Sequence, residues 1–182
     1  NMAVQIEGHP DNVAPAILGG IISGVVKKEE DFKYIKIKPP KNLKAIVSIP
    51  DFYLSTEIAR NILPKEITIK DAIFNISRAA LLTSALFSNR LDLLEIATED
   101  KIHQDYRAKF IPNLNQLFKE TKKAGAYSVT ISGAGSSILT LTKDDKNIIE
   151  KVSKAMYYSF KKKNINSVIK VLNIPTKGII IN

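Results

Sequence analysis

The chain has 182 residues, 45% of them hydrophobic, which is enough apolar side chain for one well-packed core or a core with an appendage. It contains no cysteine, which excludes disulfides and thiol chemistry, and it shows neither a run of about 18 apolar residues nor a signal-peptide pattern. The net charge of +9 comes mainly from lysines interspersed with acidic residues, as on solvated faces, so we expect a cytoplasmic protein that binds neither nucleic acid nor membrane.

The first predicted element is a rigid polar turn followed by a short helix. Residues 7–15 bring two carboxylates, an imidazole and an amide together around Pro10, whose ring fixes φ at about −65° and favours an extended His9. Asp11 or Asn12 is placed to cap a helix over residues 11–18 that ends at a glycine pair. A capped turn with a surface histidine explains the same residues, so this motif alone leaves a structural and a ligand-binding interpretation open.

Apolar periodicity predicts the elements that follow. Strands are expected over residues 20–26, 33–38 and 43–49. Helices are expected over residues 55–63, 69–88, 91–98 and 113–124, the last of them ending at Gly125. The helix over residues 69–88 is the longest, and it contains Arg78.

The last third of the chain is predicted to return to strands around one long helix. Strands are expected over residues 127–131, 137–142, 167–173 and 178–181, and a basic helix capped by Asp144 or Asp145 runs to Lys163. Strands and helices that mix without strict alternation favour an α+β fold, with helices on one face of a mainly antiparallel sheet.

A glycine-rich loop connects the first two of these later strands. Its central residues, Gly133, Ala134, Gly135 and Ser136, allow positive φ and close approach of the backbone, and successive N–H groups in such a loop can bind an anion. A tight hairpin without a ligand uses the same residues. The loop lacks the spacing of a dinucleotide fingerprint and the Gly-Lys-Ser/Thr of a P-loop.

Arginine is rare in this chain, with only four among the 27 basic residues. Two of them, Arg78 in the long helix and Arg107 before an Ile-Pro pair, occur in motif-like surroundings. A guanidinium can fork onto a carboxylate as lysine cannot, so we expect these two to bind an anionic ligand, with a structural ion pair or a solvated face as the alternative.

Taken together, these segments resemble the homoserine kinases, members of the small-molecule kinase superfamily that includes galactokinase, mevalonate kinase and phosphomevalonate kinase. Residues 7–20 look like the family's His-x-Asp-Asn-Val-Ala-Pro signature, and residues 75–81 are similar to its substrate-binding helix. Residues 103–112 are similar to its His-Gln-x-Tyr-Arg segment, and residues 132–137 resemble the superfamily's third, glycine-rich motif. Ser136 departs from this pattern, since relatives commonly carry proline there.

The resemblance implies a ferredoxin-like two-layer sandwich and a reaction that transfers the γ-phosphoryl group of ATP to the hydroxyl of L-homoserine, a step of threonine biosynthesis. It also implies that Mg²⁺ accompanies the ATP and that Glu7 is the metal ligand, since hard carboxylate oxygen suits this ion. A homodimer is compatible with the family.

The resemblance further implies roles for the substrate-binding residues. Arg78 and Arg107 would hold the α-carboxylate of homoserine. Asp11 or Asn12 would lie near its ammonium group or reacting hydroxyl. Asp11 and His9 are the candidate catalytic residues, Asp11 chiefly as an orienting group, with general-base duty for either one as the alternative.

The ATP-binding loop of such kinases, Pro-x-x-x-Gly-Leu-Gly-Ser-Ser-Ala, does not occur in this sequence. We therefore expect the chain to be the C-terminal portion of a kinase, inactive alone, with residues 1–26 left from the N-terminal kinase domain and residues 27–182 forming a substrate-binding domain. The alternatives are another kinase of the superfamily, of the sugar or mevalonate type, and a non-catalytic binding domain.

Overall fold

The computed structural model describes residues 2–27 and 31–180. The α-helices in these ranges are α1 Met2–Glu7, α2 Pro10–Leu18, α3 Thr56–Asn61, α4 Ile69–Phe87, α5 Leu94–Ala97, α6 Gln104–Ala108, α7 Leu114–Lys123 and α8 Lys146–Lys161. A 3₁₀ turn, Leu91–Leu93, precedes α5. The strands are β1 Ile21–Val26, β2 Phe32–Ile37, β3 Leu43–Pro50, β4 Ala126–Ile131, β5 Ile138–Lys143 and β6 Ser167–Leu172.

The main sheet has four antiparallel strands in the order β4-β5-β3-β6. The outer strand β6 follows α8 and pairs with β3, and the hairpin β4–β5 carries the glycine-rich loop at its turn. This order is that of a ferredoxin-like fold, which confirms the predicted α+β class. Pairing between β4 and β5 is continuous from Ser128 to Ile131, next to the loop, so the loop has a fixed base.

The larger core lies between the sheet and the helices α7 and α8. Ile46 of β3 and Ile138 of β5 point to this side and are fully buried against Leu117 of α7 and Phe160 of α8. The period of two along each strand places these residues on one face. At about 25 cal/mol per Å² of apolar surface, burial of such side chains is the main force that holds both helices to the sheet.

A second apolar cluster covers part of the opposite face. Leu43 of β3 packs there with Ala85 and Leu86 of α4 and with Leu91 and Leu94 of the segment that follows. This packing adds a helical layer beyond the one face foreseen from the sequence. It leaves a cleft between α4 and the sheet.

The N-terminal elements form a layer of their own. Strand β1 pairs with β2 in a separate two-stranded antiparallel sheet, and α1 and α2 precede it. The domain boundary expected between residues 26 and 27 falls in the connection between these two strands, where residues 28–30 lie outside the described ranges. The division into 1–26 and 27–182 therefore stays a prediction.

Two local expectations need correction at the ends of the chain. Helix α2 begins at Pro10 with His9 as its N-cap residue, and Asp11 lies inside the first turn, because proline at the first helical position needs no hydrogen-bond partner for its nitrogen. Residues 178–180 form no strand, and residue 181 lies outside the description. The backbone of Ile179 instead donates to the carbonyl of Ile17 at 3.2 Å, so this segment packs on the end of α2.

Helices α1 and α6 are not predicted from the sequence, whereas the predicted helices and strands other than the strand over residues 178–181 occur within a few residues of their expected bounds. In the described part of the chain, no helix combines the length and apolar character needed to cross a membrane.

Candidate active site

Four segments that are distant in sequence meet at one end of the main sheet. They are the N-terminus of α2, the C-terminal turn of α3, helix α6 and the glycine-rich loop. Direct contacts link them in series: His9 contacts Arg60, Ala59 contacts Arg107, and Arg107 contacts Gly133. The first and third sequence motifs are thereby joined through α3 and α6.

His9 lies between the carboxylate of Asp11 and the guanidinium group of Arg60. Its Nδ1 contacts the Oδ1 of Asp11, and its Nε2 lies 3.3 Å from the Nη2 of Arg60. Because a guanidinium can only donate, Nε2 accepts and the ring proton resides on Nδ1, where it is donated to Asp11. Both ring nitrogens are thus engaged, and Asp11 is held in place with its second oxygen available to a ligand.

Arg107 is the most completely fixed arginine of the site. It is 9% exposed, its Nε donates to the carbonyl of Ala59 at 3.1 Å, and its Nη1 donates to the carbonyl of Gly133 at 3.1 Å and to Nδ1 of His103 at 3.2 Å. A guanidinium has five N–H donors, and three are used here. The two on Nη2 have no partner among the described residues, so that edge is free for a ligand.

The surroundings of Arg107 make it a strong anion-binding group. Burial lowers its pKa, Asp100 acts in the opposite direction, and the nearby Arg60 lowers it further. Two neighbouring guanidinium groups that are both charged repel each other. An anion placed between them relieves this repulsion.

Asp100 fixes the segment that carries His103 and Arg107. Its Oδ2 accepts the backbone N–H groups of His103 at 2.7 Å and Gln104 at 2.6 Å, and its Oδ1 accepts Nδ2 of Asn75 at 2.6 Å. Burial raises the pKa of Asp100, but the hydrogen bonds from Gln104, His103 and Asn75 outweigh this, so the net pKa is below its usual value. Asp100 therefore anchors the start of α6 to α4.

His103 is the acceptor that orients Nη1 of Arg107. Burial lowers its pKa, with Asp100 opposing and Arg107 adding to the effect. Its Nε2 lies 3.6 Å from Oδ1 of Asp100. A neutral ring with its proton on Nε2 satisfies both neighbours, because Nδ1 then accepts from Arg107.

The glycine-rich loop is open on the side of the site. Gly133 and Gly135 have φ of 57° and 102°, and a Cβ added at Gly133 would meet nothing within 4 Å. The N–H of Gly135 donates within the loop to Ser132, and the hydroxyl of Ser136 donates to the carbonyl of Phe52 at 2.9 Å. The N–H groups of Gly133, Ala134 and Ser136 have no partner in the ranges that the structure describes, as an anion-binding loop requires.

Arg78 lies in a different environment from Arg107. Its Nε and Nη2 donate to Oε2 of Glu99 at 3.2 and 2.8 Å, and its guanidinium stacks on the ring of Phe74 at 3.5 Å. Arg78, Glu99 and His103 line the cleft of about 390 Å³ between α4 and the sheet. An anion that is to reach Arg78 must compete with Glu99.

Glu7, the last residue of α1, and Asn12, in the first turn of α2, are both exposed. Glu7 makes no ion pair with any described residue, so its carboxylate is accessible. The described residues contain no cluster of three or more metal-ligating side chains. Glu7 fits the role of a single protein ligand to an ion whose other ligands are phosphate oxygens and water.

Arg60 is a site residue that the motif analysis missed. It follows the helix start at Ser55, whose hydroxyl accepts the N–H of Ile58 at 3.3 Å, and the resulting single turn aims Arg60 at His9. The sequence offered one signal, the scarcity of arginine, which applies to Arg60 as much as to Arg78.

Comparisons with known proteins agree with these features. Residues 81–158 match the family model described as "GHMP kinases C terminal". The homoserine kinase of Persephonella marina is 44% identical over 178 residues, which are 98% of this chain and 58% of that protein. The chain thus spans little more than half the length of this curated relative.

Solved structures also match this chain over about half of their own length. The crystal structure of homoserine kinase from Cytophaga hutchinsonii superimposes with a TM-score of 0.86 at 32% identity, over 93% of this chain and 53% of that one. The L. major mevalonate kinase superimposes with a TM-score of 0.60 at 14% identity, over 88% of this chain and 51% of that one, which is a likeness of fold alone.

Proposed function

Because the chain belongs to the homoserine kinases within the GHMP kinase family, we propose that it forms the C-terminal part of an enzyme that transfers the γ-phosphoryl group of ATP to the hydroxyl of L-homoserine. The observation that carries the proposal is the junction of His9, Arg60, Arg107 and Gly133, which sets two guanidinium groups and an acidic side chain beside an open glycine loop. Phosphoryl transfer requires mainly positioning and charge neutralisation from the protein, and this junction supplies both.

The substrate is a zwitterion, and the two arginines suit its carboxylate. Arg107 offers the free Nη2 edge, and Arg60 offers the guanidinium hydrogens that do not contact His9. Charge-assisted hydrogen bonds of this kind are about twice as strong as neutral ones. In this proposal Arg60 and Arg107 together bind the substrate carboxylate, whereas Arg78 reaches the substrate only if its ion pair with Glu99 breaks.

Asp11 and Asn12 would hold the polar end of the substrate. The oxygen of Asp11 that does not contact His9 can accept a hydrogen bond from the ammonium group or from the hydroxyl that receives the phosphoryl group. His9 keeps Asp11 in this orientation. Since both ring nitrogens of His9 are engaged, we assign it to positioning and leave proton acceptance to Asp11, late in a loose transition state.

ATP and Mg²⁺ would be bound jointly with residues outside this chain. Here, Glu7 would hold the metal, and the free N–H groups of Gly133, Ala134 and Ser136 would face phosphate oxygens. When bound, Mg²⁺ supplies charge neutralisation of the β- and γ-phosphates. A homodimer remains part of the proposal.

Steady-state kinetics of the complete gene product test the proposal. Arg60→Lys and Arg107→Lys should each raise the KM for homoserine by roughly ten- to a hundredfold, since a charge-assisted hydrogen bond is worth about 1.5–3 kcal/mol, while the KM for ATP stays near that of the parent enzyme. Arg78→Lys is the matched control, because its guanidinium already binds Glu99. A homoserine KM within about twofold of the parent for both Arg60→Lys and Arg107→Lys would reject the carboxylate site.

A substrate panel separates the proposed reaction from its relatives. We expect L-homoserine to be phosphorylated and galactose and mevalonate to be inert, because neither carries the α-amino acid group that the arginines and Asp11 are placed to bind. Preferred turnover of galactose or mevalonate would move the protein to another branch of the superfamily. A complete gene product with no kinase activity on any of them would instead favour a binding role.

A further inference from the structure

Gln104, the first residue of α6, is a buried polar side chain to which the proposed reaction gives no role. Its Oε1 accepts the backbone N–H of Ile131 at 3.0 Å, and its Nε2 donates to the carbonyl of Thr98 at 3.3 Å. An amide accepts through its oxygen and donates through its nitrogen, so these two contacts fix which way the side chain is turned. Gln104 thus joins the end of β4 to the residue that follows α5.

The backbone N–H of Ile131 needs a partner from outside the main sheet. Strand β4 is an outer strand, and the next residue, Ser132, donates its N–H to the carbonyl of Ser137 at 2.8 Å across the hairpin. Because the N–H groups of successive residues point to opposite sides of a strand, that of Ile131 points away from β5, where no further strand lies in the described part of the chain. Ile131 is only 5% exposed, so the oxygen of Gln104, and not water, satisfies this N–H group.

The place of this contact relates it to the glycine-rich loop. Ile131 is the last residue of β4, and Gly133, whose carbonyl accepts from Arg107, follows two residues later. Gln104 and Arg107 are three residues apart on α6 and therefore lie on the same face of the helix. One face of α6 thus binds the strand end and the loop at two points, Gln104 to Ile131 and Arg107 to Gly133, and we call this pair of contacts the α6 clamp.

Hydrogen bonds, more than close packing, determine where α6 lies at the clamp. Gln104 lines two cavities, a hollow of about 290 Å³ and the cleft of about 390 Å³ between α4 and the sheet. Because empty space adjoins Gln104, dispersion contacts alone do not fix this end of α6. Asp100 accepts the backbone N–H of Gln104 at 2.6 Å and binds Asn75, so it anchors α6 to α4. The side chain of Gln104 supplies the anchor to the sheet.

We infer that Gln104 is a positioning residue for substrate binding, which acts by setting the place of Arg107 relative to the glycine-rich loop. The inference rests on the proposed function. Arg107 donates at once to the carbonyls of Ala59 and Gly133, each at 3.1 Å, and a rigid planar guanidinium can do so only from a narrow range of positions. A shift of α6 along β4 would break one of these bonds and turn the free Nη2 edge away from the substrate carboxylate.

Steady-state kinetics of the complete gene product test this role. Gln104→Met keeps a side chain of similar length but removes both hydrogen bonds to Ile131 and Thr98. We expect the KM for homoserine to rise about tenfold while kcat and the KM for ATP stay within about threefold of the parent, because a misplaced Arg107 weakens the grip on the carboxylate in the ground state and the transition state alike.

Asn113→Met is the matched control. It removes another side-chain amide that donates to a backbone carbonyl, that of Ser159 at 2.7 Å, so it lowers stability without touching the α6 clamp. We expect its homoserine KM to equal that of the parent. An equal rise of the homoserine KM in Asn113→Met, or no rise in Gln104→Met, would overturn the inference.

A double-mutant cycle shows whether Gln104 acts through Arg107. In an enzyme that already carries Arg107→Lys, adding Gln104→Met should change the homoserine KM by less than about twofold, because the guanidinium that Gln104 positions is gone. Effects of the two substitutions that multiply would show that Gln104 acts independently of Arg107 and would contradict the assigned role.

Hydrogen exchange of the complete gene product tests the contact without using activity. Gln104→Met should speed exchange of the Ile131 amide by about tenfold or more, whereas the amide of Thr130, which pairs with Leu139 of β5, should change little. Unchanged exchange at Ile131 would overturn the α6 clamp. If the parent phosphorylates homoserine and Gln104→Met leaves its KM unaltered, only the present inference fails. If the parent does not phosphorylate homoserine, the proposed function fails, and with it the role of Gln104 in substrate binding.

Discussion

Replacing His103 should disturb both the stability of the fold and the binding of substrate, because this residue accepts a hydrogen bond from the buried Arg107. His103→Phe keeps a ring of similar size but removes the acceptor that lies 3.2 Å from Nη1. Arg107 is only 9% exposed, so water does not readily replace the lost partner. An unsatisfied buried donor costs about 1–3 kcal/mol, and we expect a loss of this size in the free energy of unfolding.

Chemical denaturation of the 182-residue chain measures this loss, and the kinetics of the complete gene product measure the effect on binding. His103→Asn is the control, because its side-chain oxygen can take the position of Nδ1 and should restore most of the stability. For His103→Phe we expect a homoserine KM raised by about tenfold with an unchanged KM for ATP, since Arg107 loses its fixed orientation. Phe and Asn variants that match the parent in both stability and KM would refute the reasoning.

The pH dependence gives an independent check. Burial lowers the pKa of His103 in the folded chain, so the folded state prefers the neutral ring. Its contribution to stability is therefore fully present above the unfolded value of about 6.5 and is lost as the pH falls from there toward the lower folded value. His103→Asn should remove this component, and identical pH profiles for parent and variant would contradict it.

Three further predictions concern other parts of the molecule. In the complete gene product, Glu7→Gln should lower activity in a manner partly rescued by raised Mg²⁺, whereas Asp11→Asn should lower kcat without such rescue; normal kcat in Asp11→Asn would return the turn to a structural role. Thr140→Val should stabilise the chain by about 1 kcal/mol in denaturation experiments, because the fully buried hydroxyl of Thr140 has no partner among the described residues. Thr142→Val should bring no such gain, because it removes a hydrogen bond to the carbonyl of Gly125 at 3.4 Å. Gly19→Ala should cost about 2–4 kcal/mol in the same assay, since φ is 69° and a Cβ would lie 2.3 Å from the backbone of Lys177. Gly133→Ala, which also has positive φ but open space around it, should cost less. Equal losses would show that the strain of positive φ, and not the contact with Lys177, determines the cost.

The sequence predicted the elements whose signal is local. Helix α4 and the strands around the glycine loop follow from apolar spacing, and the end of α2 follows from the glycine pair. The start of α2 was assigned to the wrong residue because Asp11 is a good cap by type, whereas the position of Pro10 decides the geometry. The strand expected over residues 178–181 failed in the described part because this segment packs on the end of α2, where the backbone N–H of Ile179 donates to the carbonyl of Ile17 at 3.2 Å.

The composition of the candidate site depended on contacts that sequence does not reveal. Arg60 meets His9 across 51 positions, and nothing in the local pattern of α3 distinguishes it from a solvated arginine. The sequence points to Arg78 because it lies in a motif-like helix, and only the structure shows that its guanidinium is bound to Glu99. Motif spacing therefore predicts the candidate site, and tertiary packing determines which arginine faces it.

The double attachment of Arg107 has a consequence for how ligands influence one another. One guanidinium holds the carbonyl of Ala59 at the end of α3 and the carbonyl of Gly133 in the glycine loop. In the proposed kinase, a nucleotide that immobilises the loop would fix Gly133, to which Arg107 is already bound, so an amino acid that then binds Arg107 would order less of the loop and lose less entropy. Thermodynamic reciprocity then requires the amino acid to tighten nucleotide binding by the same factor. We expect the two substrates to bind with positive cooperativity, transmitted by a single side chain.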